Sequence, residues 1–169
     1  YGWQWYGQLV GAYFKSHPTI QEASFVVEDH ACEICSAFGD SIWVRTDELY
    51  NFKNISDDIN IILSVDERTY EGGENGDNHP MSWYHNFQGG RSFYTALGHT
   101  EESYQDDNYL NHLLAGIEYA IGENKKLDYN MAITAPLIDQ SRFAKTQLSV
   151  GEFYEPTEMT ILPNNDVLI

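Results

Sequence analysis

Basic residues are scarce in this 169-residue chain, which has only 9 Lys and Arg against 26 Asp and Glu and a formal net charge of -17. Proteins that bind nucleic acid take much of their affinity from clustered Lys and Arg side chains that neutralise phosphates. An anionic membrane surface would repel this chain for the same reason. The composition therefore argues against a nucleic-acid partner and against attachment to an anionic membrane surface.

Long apolar runs are also missing from the sequence. No stretch reaches the roughly 18 apolar residues that a membrane-spanning helix needs, so we expect no membrane insertion. The chain does not open with the basic and then apolar segment that is typical of a signal peptide. Because the first residue is Tyr1 rather than Met, we expect a piece of a longer protein, in which a targeting signal could lie upstream.

Cysteine is limited to Cys32 and Cys35, which form a single Cys-x-x-Cys pair. A structural zinc site usually takes four ligands, and one neighbouring histidine, His30, does not complete such a set. Redox-active pairs of the thioredoxin type lie between a strand and a helix, whereas the residues after Cys35 are typical of a loop. Free thiols, a local disulfide, and a redox or metal role are all open for this pair.

The chain does contain enough apolar surface for a folded core, because 42% of its residues are hydrophobic and 14% are aromatic. At this length we expect one domain with room for a short appendage. Hydrophobic periodicity and turn residues predict several elements in order. These are a helix over 4–15 that ends before Pro18, strands over 23–27, 42–45 and 61–66, a hairpin of strands over 81–87 and 91–97, and a helix over 103–121.

Finer features of these elements follow from individual residues. Thr46 is expected to cap a short turn, and Gly122 to cap the end of the last helix. The strand over 61–66 is nearly all apolar, which predicts burial on both faces. The last helix carries an apolar stripe that we expect to face the sheet, formed by Leu110, Leu113, Leu114, Ile117 and Ile121.

The character of the sequence changes after Gly122, which predicts a division into domains. We assign residues 1–122 to the first domain, 123–146 to a polar linker and 147–169 to a separate β segment. Within that segment, residues 163–166 (PNND) lie between two short apolar runs, which is typical of a hairpin.

Four stretches of the first domain together resemble one family. They are LVGAYFKSHP at 9–18, RTDELYNF at 45–52, TYEGGENGDNHP at 69–80 and GGRSFYTALGHTEESY at 89–104. They are similar to the ThuA-like, or trehalose-utilisation, domain over residues 1–122. The resemblance implies a flavodoxin-like α/β fold, a three-layer sandwich related to the class I glutamine amidotransferases, and a role in sugar metabolism. It also implies that the family's opening strands, including the nucleophile-elbow position of the amidotransferase relatives, would precede Tyr1.

The tail has a resemblance of its own. SRFAK at 141–145 and EPTEMTILPN at 155–164 look like the entry into a β-propeller of the glucose/sorbosone dehydrogenase type. This implies a covalently linked propeller domain in the full-length protein, whose quinone cofactor would bind outside the present chain. We therefore expect no cofactor here, apart from a divalent metal if the histidines form a metal site. The family context and the acidity favour an extracellular or periplasmic location.

Two histidines are the main candidates for catalysis. His99 directly follows a predicted strand, and ligands of open α/β sheets bind at the carboxyl ends of strands. Together with the nearby carboxylate of Glu102, His99 could act as a general acid or base; alternatively, it only stabilises the start of the following helix. His79 follows a Gly- and Asp-rich loop and could act with Asp77 on a sugar or a metal, unless Asp77 merely bonds its own backbone in a turn.

Substrate binding is assigned to Asp77 and three further residues. Arg91 is one of nine basic residues and could hold a carboxylate or a sugar hydroxyl, although a surface ion pair would explain it equally. Tyr94 could stack on a sugar ring or simply belong to the core. His17 could contact substrate, or it could only complement the dipole at the end of the first helix.

Three functions are consistent with these residues. The first is a ThuA-like enzyme domain that acts on a sugar or glycoside by acid–base chemistry at His99, His79 and a carboxylate. The second is a non-catalytic carbohydrate-binding or scaffolding module that is fused to a propeller dehydrogenase. The third is a metal-dependent site formed by His17, His79 and His99. In all three the expected partner is carbohydrate.

Overall fold

The computed structural model describes residues 3–28, 34–35, 38–122, 160–161 and 167–168. The chain divides into two compact units, Tyr1–Ile133 and Thr134–Ile169. The helices are α1 (Gln4–Val10) and α2 (Asp107–Ile121), with short 3-10 turns at Glu67–Thr69 and Glu101–Gln105. The strands are β1 (Tyr13–Ser16), β2 (Gln21–Val27), β3 (Ile42–Asp47), β4 (Asn51–Lys53), β5 (Asn60–Val65), β6 (Pro80–Phe87), β7 (Gly90–Thr95), β8 (Thr160–Ile161) and β9 (Val167–Leu168).

A five-stranded sheet with the order β3-β2-β5-β6-β7 forms the centre of the first unit. Every neighbouring pair in it is antiparallel, so parallel pairing of the flavodoxin type does not occur among the described strands. The predicted strand over 61–66 is confirmed as β5, whose last four residues are buried. Burial on both faces explains why its sequence is nearly all apolar rather than alternating.

The sheet is covered on both faces, which gives three layers. Helix α2 packs on one face, where Tyr109 and His112 are fully buried. The other face carries α1 and the small β1–β4 sheet, and the Phe52 ring of β4 packs edge-on to Trp83 of β6 at 5.1 Å. The last carbonyls of α1 accept hydrogen bonds from sheet side chains, among them Trp83 Nε1 to Val10 O at 2.6 Å. These bonds satisfy backbone acceptors that a helix end otherwise leaves unpaired.

The predicted hairpin around residues 88–90 is confirmed. β6 and β7 pair up to Phe87 and Gly90, and the two turn residues Gln88 and Gly89 have φ angles of 48° and 80°. Positive φ at both central positions is the geometry that matches the twist of a two-residue hairpin. Glycine is therefore favoured at position 89, because it adopts a positive φ angle without steric cost.

The first helix is shorter than the prediction of 4–15. It ends at Val10 because Gly11 adopts a left-handed conformation with φ 89°, and Tyr13–Ser16 is a strand that pairs with β4. A β-carbon at Gly11 would lie 2.7 Å from Ile59 Cγ2, so both the conformation and the close approach favour glycine there. The prediction that His17 lies at a helix end is wrong for the same reason.

The last helix is confirmed from Asp107 onward, but its predicted orientation is wrong. Its buried residues are Tyr109, His112 and Gly116, whereas four members of the expected stripe are exposed. These are Leu110, Leu114, Ile117 and Ile121, with exposed fractions of 41% to 64%. The opposite side of α2 packs on the sheet. There His112 forms a hydrogen bond with Ser82, and Gly116 leaves room for the Phe93 ring.

The structure also bears on several smaller predictions. Thr46 lies inside β3 and caps no turn, while Gly122 does cap α2, with φ 65°. Cys35 is disulfide-bonded, whereas Cys32 and the predicted linker lie outside the described residues. β8 and β9 pair antiparallel, which confirms a C-terminal hairpin. No helix of the described part is long and apolar enough to cross a membrane.

Candidate functional site

The antiparallel sheet gathers alternate strand ends at one edge. β3, β5 and β7 occupy every second position, so they run in the same direction and their carboxyl ends share this edge. Glu48 follows β3, and His99 follows β7 after a short connection. The turn that contains His17 leads into β2 and so reaches the same edge. Three chemically active side chains from distant parts of the sequence therefore converge.

The Glu48 carboxylate lies between two imidazole rings. His17 Nδ1 is 3.1 Å from Glu48 Oε1, and His99 Nδ1 is 3.2 Å from Glu48 Oε2. The carboxylate is 12% exposed, whereas the two rings are 45% and 48% exposed. The charge is thus held at the base of the site, while each ring remains accessible from solvent.

Both rings present the same nitrogen to solvent. Nδ1 of His17 also lies 2.9 Å from the Pro18 carbonyl oxygen, and such an acceptor requires an N–H donor. A proton held on Nδ1 leaves Nε2 as the basic nitrogen of a neutral ring. Among the described residues, no group bonds Nε2 of His17 or of His99. The Glu48 carboxylate lies beside Nδ1 of both rings, so Nε2 is the nitrogen of each ring that is left to meet a ligand.

Asp47 fixes the backbone on which His99 stands. Its fully buried carboxylate accepts from the backbone N–H groups of Glu48, Gly98 and His99 at 2.9, 2.8 and 3.0 Å. It also pairs with Arg45 Nη2 at 2.8 Å. Because β3 and β7 lie at opposite sides of the sheet, this carboxylate ties the two strand ends together. The distance between Glu48 and His99 follows from these bonds.

Arg45 is the buried counter-ion of this arrangement. Its guanidinium lies 4.4 Å from the Trp43 ring and 5.0 Å from the Tyr109 ring, and Nη2 also donates to Ser103 Oγ at 2.6 Å. Burial lowers the pKa of Arg45, while Asp47 raises it. Nε and Nη1 find no hydrogen-bond partner among the described residues, so the ring faces and the Asp47 charge stabilise the cation.

Aromatic side chains form one wall beside the two histidines. Phe14 packs edge-on to Tyr50 at 5.0 Å, and the His17 ring lies 6.0 Å from the first and 6.1 Å from the second. Phe14 is 40% exposed. Burial, and then the charge of Glu48, raises the pKa of the Tyr50 phenol, so this group stays neutral beside the carboxylate.

His79, the second predicted catalytic residue, is fully buried. Its Nδ1 lies 2.7 Å from Glu67 Oε1 and its Nε2 lies 2.7 Å from the Tyr50 carbonyl oxygen. Both nitrogens therefore lie within hydrogen-bonding distance of an acceptor, and the Tyr70 hydroxyl also lies 3.1 Å from Nδ1. His79 therefore joins the 3-10 turn of Glu67 to the backbone beside Glu48. The contact of His79 with the Tyr50 carbonyl holds the backbone beside Glu48 in place, whereas the ring itself does not face solvent.

Two predicted carboxylates lie apart from the histidine pair. Asp77 is exposed in the loop before β6. Its negative charge contributes to the raised pKa of Arg68. Glu102 is exposed in the 3-10 turn before α2 and makes no hydrogen bond or ion pair with the described residues. Across the described part of the chain, no group of three or more His, Cys, Asp or Glu side chains is arranged to hold a metal ion. The metal hypothesis thus gains no support.

Two further predicted binding residues have structural surroundings. Arg91 stands at the start of β7, at the opposite end from His99, and donates to the carbonyls of Tyr119 and Ile121 at 2.7 and 3.1 Å. A cation at these carbonyls stabilises the carboxyl end of α2. Tyr94 packs 4.5 Å from the Trp83 ring, and its burial raises the pKa of its phenol.

Sequence reasoning missed Glu48 and Asp47. The pattern Asp47-Glu48 directly after an alternating strand was the available signal, because strand ends at one sheet edge meet. The expected turn at Thr46 hid this signal by ending the strand too early. Of the predicted residues, the structure brings His17 and His99 together at Glu48, whereas His79 is buried beneath the Tyr50 backbone.

Known proteins share features of this chain. The family model described as ThuA, trehalose utilisation, matches residues 1–120. A thua-like protein of known structure from Bacteroides uniformis ATCC 8492 is similar, with a TM-score of 0.61 and 18% identity over 73% of this chain and 54% of that one. A thua-like protein from Parabacteroides merdae ATCC 43184 has a TM-score of 0.46 and 21% identity over 66% of this chain and 43% of that one. No curated protein matches.

These comparisons confirm the predicted fold class. At 18% identity the likeness shows the fold alone, which is the mixed α/β fold of the ThuA-like proteins. The chain spans about half the length of the solved relatives it matches. The family model covers well over half of this sequence. The chain therefore belongs to the ThuA family, the family described by trehalose utilisation.

Proposed function

We propose that this chain acts on a sugar or glycoside by acid–base chemistry centred on Glu48, His17 and His99. One observation carries the proposal: a single carboxylate contacts Nδ1 of two histidines that lie 82 positions apart in the sequence and are both half exposed. Surface ion pairs contribute little to stability, so the pairing has little structural value of its own. Its chemical value is the pair of Nε2 atoms that it orients.

The two rings supply complementary roles in proton transfer. The Glu48 carboxylate lies beside Nδ1 of each ring, which leaves Nε2 of each ring for proton transfer. The neutral ring can accept a proton at Nε2 from a sugar hydroxyl or from water, while the charged ring can donate one to a leaving oxygen. Groups positioned in this way contribute roughly 10²- to 10⁴-fold to a rate.

The surroundings of the pair support a carbohydrate substrate. Sugar rings expose C–H faces that pack on aromatic side chains, and the half-exposed Phe14 lies beside His17. The formal net charge of -17 disfavours anionic substrates and favours neutral ones. The family description, trehalose utilisation, is consistent with this substrate class.

Turnover of a panel of glycosides and oxidised glycosides, followed by released reducing sugar, tests the proposal. Glu48→Gln and Glu102→Gln form a matched pair, because each removes one carboxylate charge without changing side-chain size. We expect the first to lower kcat by roughly 100-fold or more and the second to leave it unchanged. His99→Gln should lower kcat while calorimetric binding of the sugar persists. Equal activity of Glu48→Gln and wild type would exclude the proposed chemistry.

The binding arm of this assay separates the enzyme from the alternative of a non-catalytic module. Binding without turnover by the wild-type chain would favour a carbohydrate-binding or scaffolding role. That role would fit a fusion to a sugar-dehydrogenase propeller, a proposal that the C-terminal β8–β9 hairpin supports. The structure of a chain extended beyond residue 169 would test the fusion.

We also propose an extracellular or periplasmic location. The disulfide at Cys35 supports it, because disulfides persist mainly in oxidising compartments. Fractionation of the source cells tests the proposal. Recovery of the protein in the cytoplasmic fraction with a reduced Cys35 thiol would contradict it.

A further inference from the structure

A cavity of about 350 Å³ lies far from Glu48 along the strands. It is formed by α1, the loop after β4 and the carboxyl end of β6, where its lining includes Gln8, Tyr13, Asn54, Asp58, His85 and Asn86. β6 runs opposite to β3 and β7, so its carboxyl end lies at the edge opposite to Glu48 and His99. The volume is within the roughly 300–1,000 Å³ of small-molecule pockets.

Three amide side chains in the lining have no partner among the residues that the structure describes. Gln8, Asn54 and Asn86 come from α1, the loop after β4 and β6, and no described hydrogen bond uses their side-chain amides. Each amide offers a carbonyl acceptor and an NH₂ donor. Amides from three separate segments that face one cavity form a set of mixed donors and acceptors. A ligand rich in hydroxyl groups satisfies such a set, because each hydroxyl can both donate and accept.

His85 gives the cavity a built polar wall. The residue is 5% exposed, and its Nε2 lies 2.8 Å from the Leu9 carbonyl oxygen. A carbonyl only accepts, so Nε2 carries the proton and Nδ1 is the acceptor nitrogen of the neutral ring. The Ser92 hydroxyl donates to the same Leu9 carbonyl at 2.6 Å, so two side chains of the sheet hold this end of α1. The wall is therefore fixed by the fold rather than formed by mobile surface chains.

Aromatic rings continue from the cavity onto the surface. Phe87 is part of the lining, the Trp5 ring packs edge-on to it at 5.6 Å, and the Trp3 ring stacks on Trp5 at 5.9 Å. Trp3 is 64% exposed. Exposed aromatic faces beside hydrogen-bonding groups suit the alternating C–H and O–H surfaces of a sugar. The Asp58 carboxylate in the lining disfavours an anionic ligand.

We propose that this cavity is a second binding site, separate from the histidine pair, for a neutral sugar. The amides and His85 bond the hydroxyl groups of one sugar ring, and the aromatic rings beside the cavity receive the face of the next. The proposal stands independently of the acid–base chemistry at Glu48. A substrate of several sugar units could be retained here while another part reacts elsewhere.

Binding of neutral sugars, measured by NMR on the full 169-residue chain, tests the proposal. The probes are glucose, maltose and trehalose, and the signals are the side-chain NH₂ groups of Asn54 and Asn86. We expect at least one probe to shift these signals saturably. Asn86→Leu, which keeps the size of the side chain, should weaken this binding about tenfold, while Asn111→Leu on the exposed side of α2 serves as the matched control.

Each outcome decides the proposal. Saturable shifts that are lost in Asn86→Leu and kept in Asn111→Leu and Glu48→Gln support a second site. Absence of shifts at the cavity with all three probes would overturn the assignment to neutral sugars. Equal affinity in Asn86→Leu and Asn111→Leu would overturn the assignment to this cavity. A Gln8→Leu variant repeats the test from α1 without changing the sheet.

Discussion

Acidification should destabilise the folded chain through one buried histidine, His112. Its ring is fully buried between the Phe38 and Phe93 rings at 5.2 and 5.1 Å. The Ser82 hydroxyl donates to the Tyr94 carbonyl, so His112 Nε2 must donate to Ser82 Oγ at 3.0 Å. Nδ1 then keeps a lone pair that no described group bonds. A second proton would bring a charge into an apolar environment, and burial lowers the pKa of His112 to about 3.

The sign and size of the effect follow from linkage. Between this value and the ordinary pKa of 6.5, the unfolded chain binds a proton that the folded chain does not, so acid favours unfolding. Stability from this group is complete above the ordinary value and falls as the pH is lowered. At about pH 5, some 1.5 units below that value, the loss is about 2 kcal/mol, at about 1.36 kcal/mol per unit.

Urea denaturation followed by tryptophan fluorescence at about pH 7, 6 and 5 measures this loss. His112→Gln is the matched variant, because the amide keeps a donor for Ser82 but does not titrate. We expect the free energy of unfolding to fall about 2 kcal/mol further for wild type than for the variant between pH 7 and pH 5. The other histidines titrate equally in both proteins and cancel. Parallel pH dependences would refute the neutral, buried state of His112.

Three substitutions test the geometry around the site. Asp47→Asn should lower the free energy of unfolding by roughly 3–5 kcal/mol, because buried Arg45 loses its charged partner; a loss below about 1 kcal/mol in urea denaturation would contradict this. Arg91→Ala should lower the free energy of unfolding by about 1 kcal/mol, because it removes hydrogen bonds at the end of α2. It should leave KM for a sugar substrate unchanged. A raised KM would instead support the predicted role of Arg91 in substrate binding. Gly98→Ala should lower the free energy of unfolding by about 2–4 kcal/mol, because Gly98 has φ 99° and a β-carbon there would overlap the Tyr109 hydroxyl. A melting temperature equal to that of wild type would argue against this packing.

Local signals were sufficient where one strong pattern decided the structure. β5 is nearly all apolar and is buried on both faces, and the Gln-Gly-Gly turn fixes the β6–β7 hairpin through positive φ angles. By contrast, the pattern of apolar residues through 4–15 fits one helix, although Gly11 ends that helix and β4 supplies a strand partner for Tyr13–Ser16. Tertiary pairing outweighs helix periodicity there.

The orientation of α2 and the identity of the proposed catalytic carboxylate depend on contacts that no local sequence pattern contains. A polar histidine on the buried face is favoured only because Ser82 lies opposite it. Glu48 meets His99 only because the Asp47 carboxylate binds backbone N–H groups more than fifty positions away. Sequence spacing predicted a histidine at a strand end, but it pointed to the neighbouring Glu102 rather than to Glu48.

A double-variant cycle of Glu48→Gln and His99→Gln, with kcat on a turned-over glycoside as the readout, tests whether the carboxylate and the histidine act as one unit. Residues that act as one catalytic unit lose activity non-additively, because the first substitution already removes the contribution that the second would remove. We expect the double variant to be about as slow as the slower single variant. Losses that multiply would show that the carboxylate and the histidine act independently, and would contradict a site in which Glu48 orients His99.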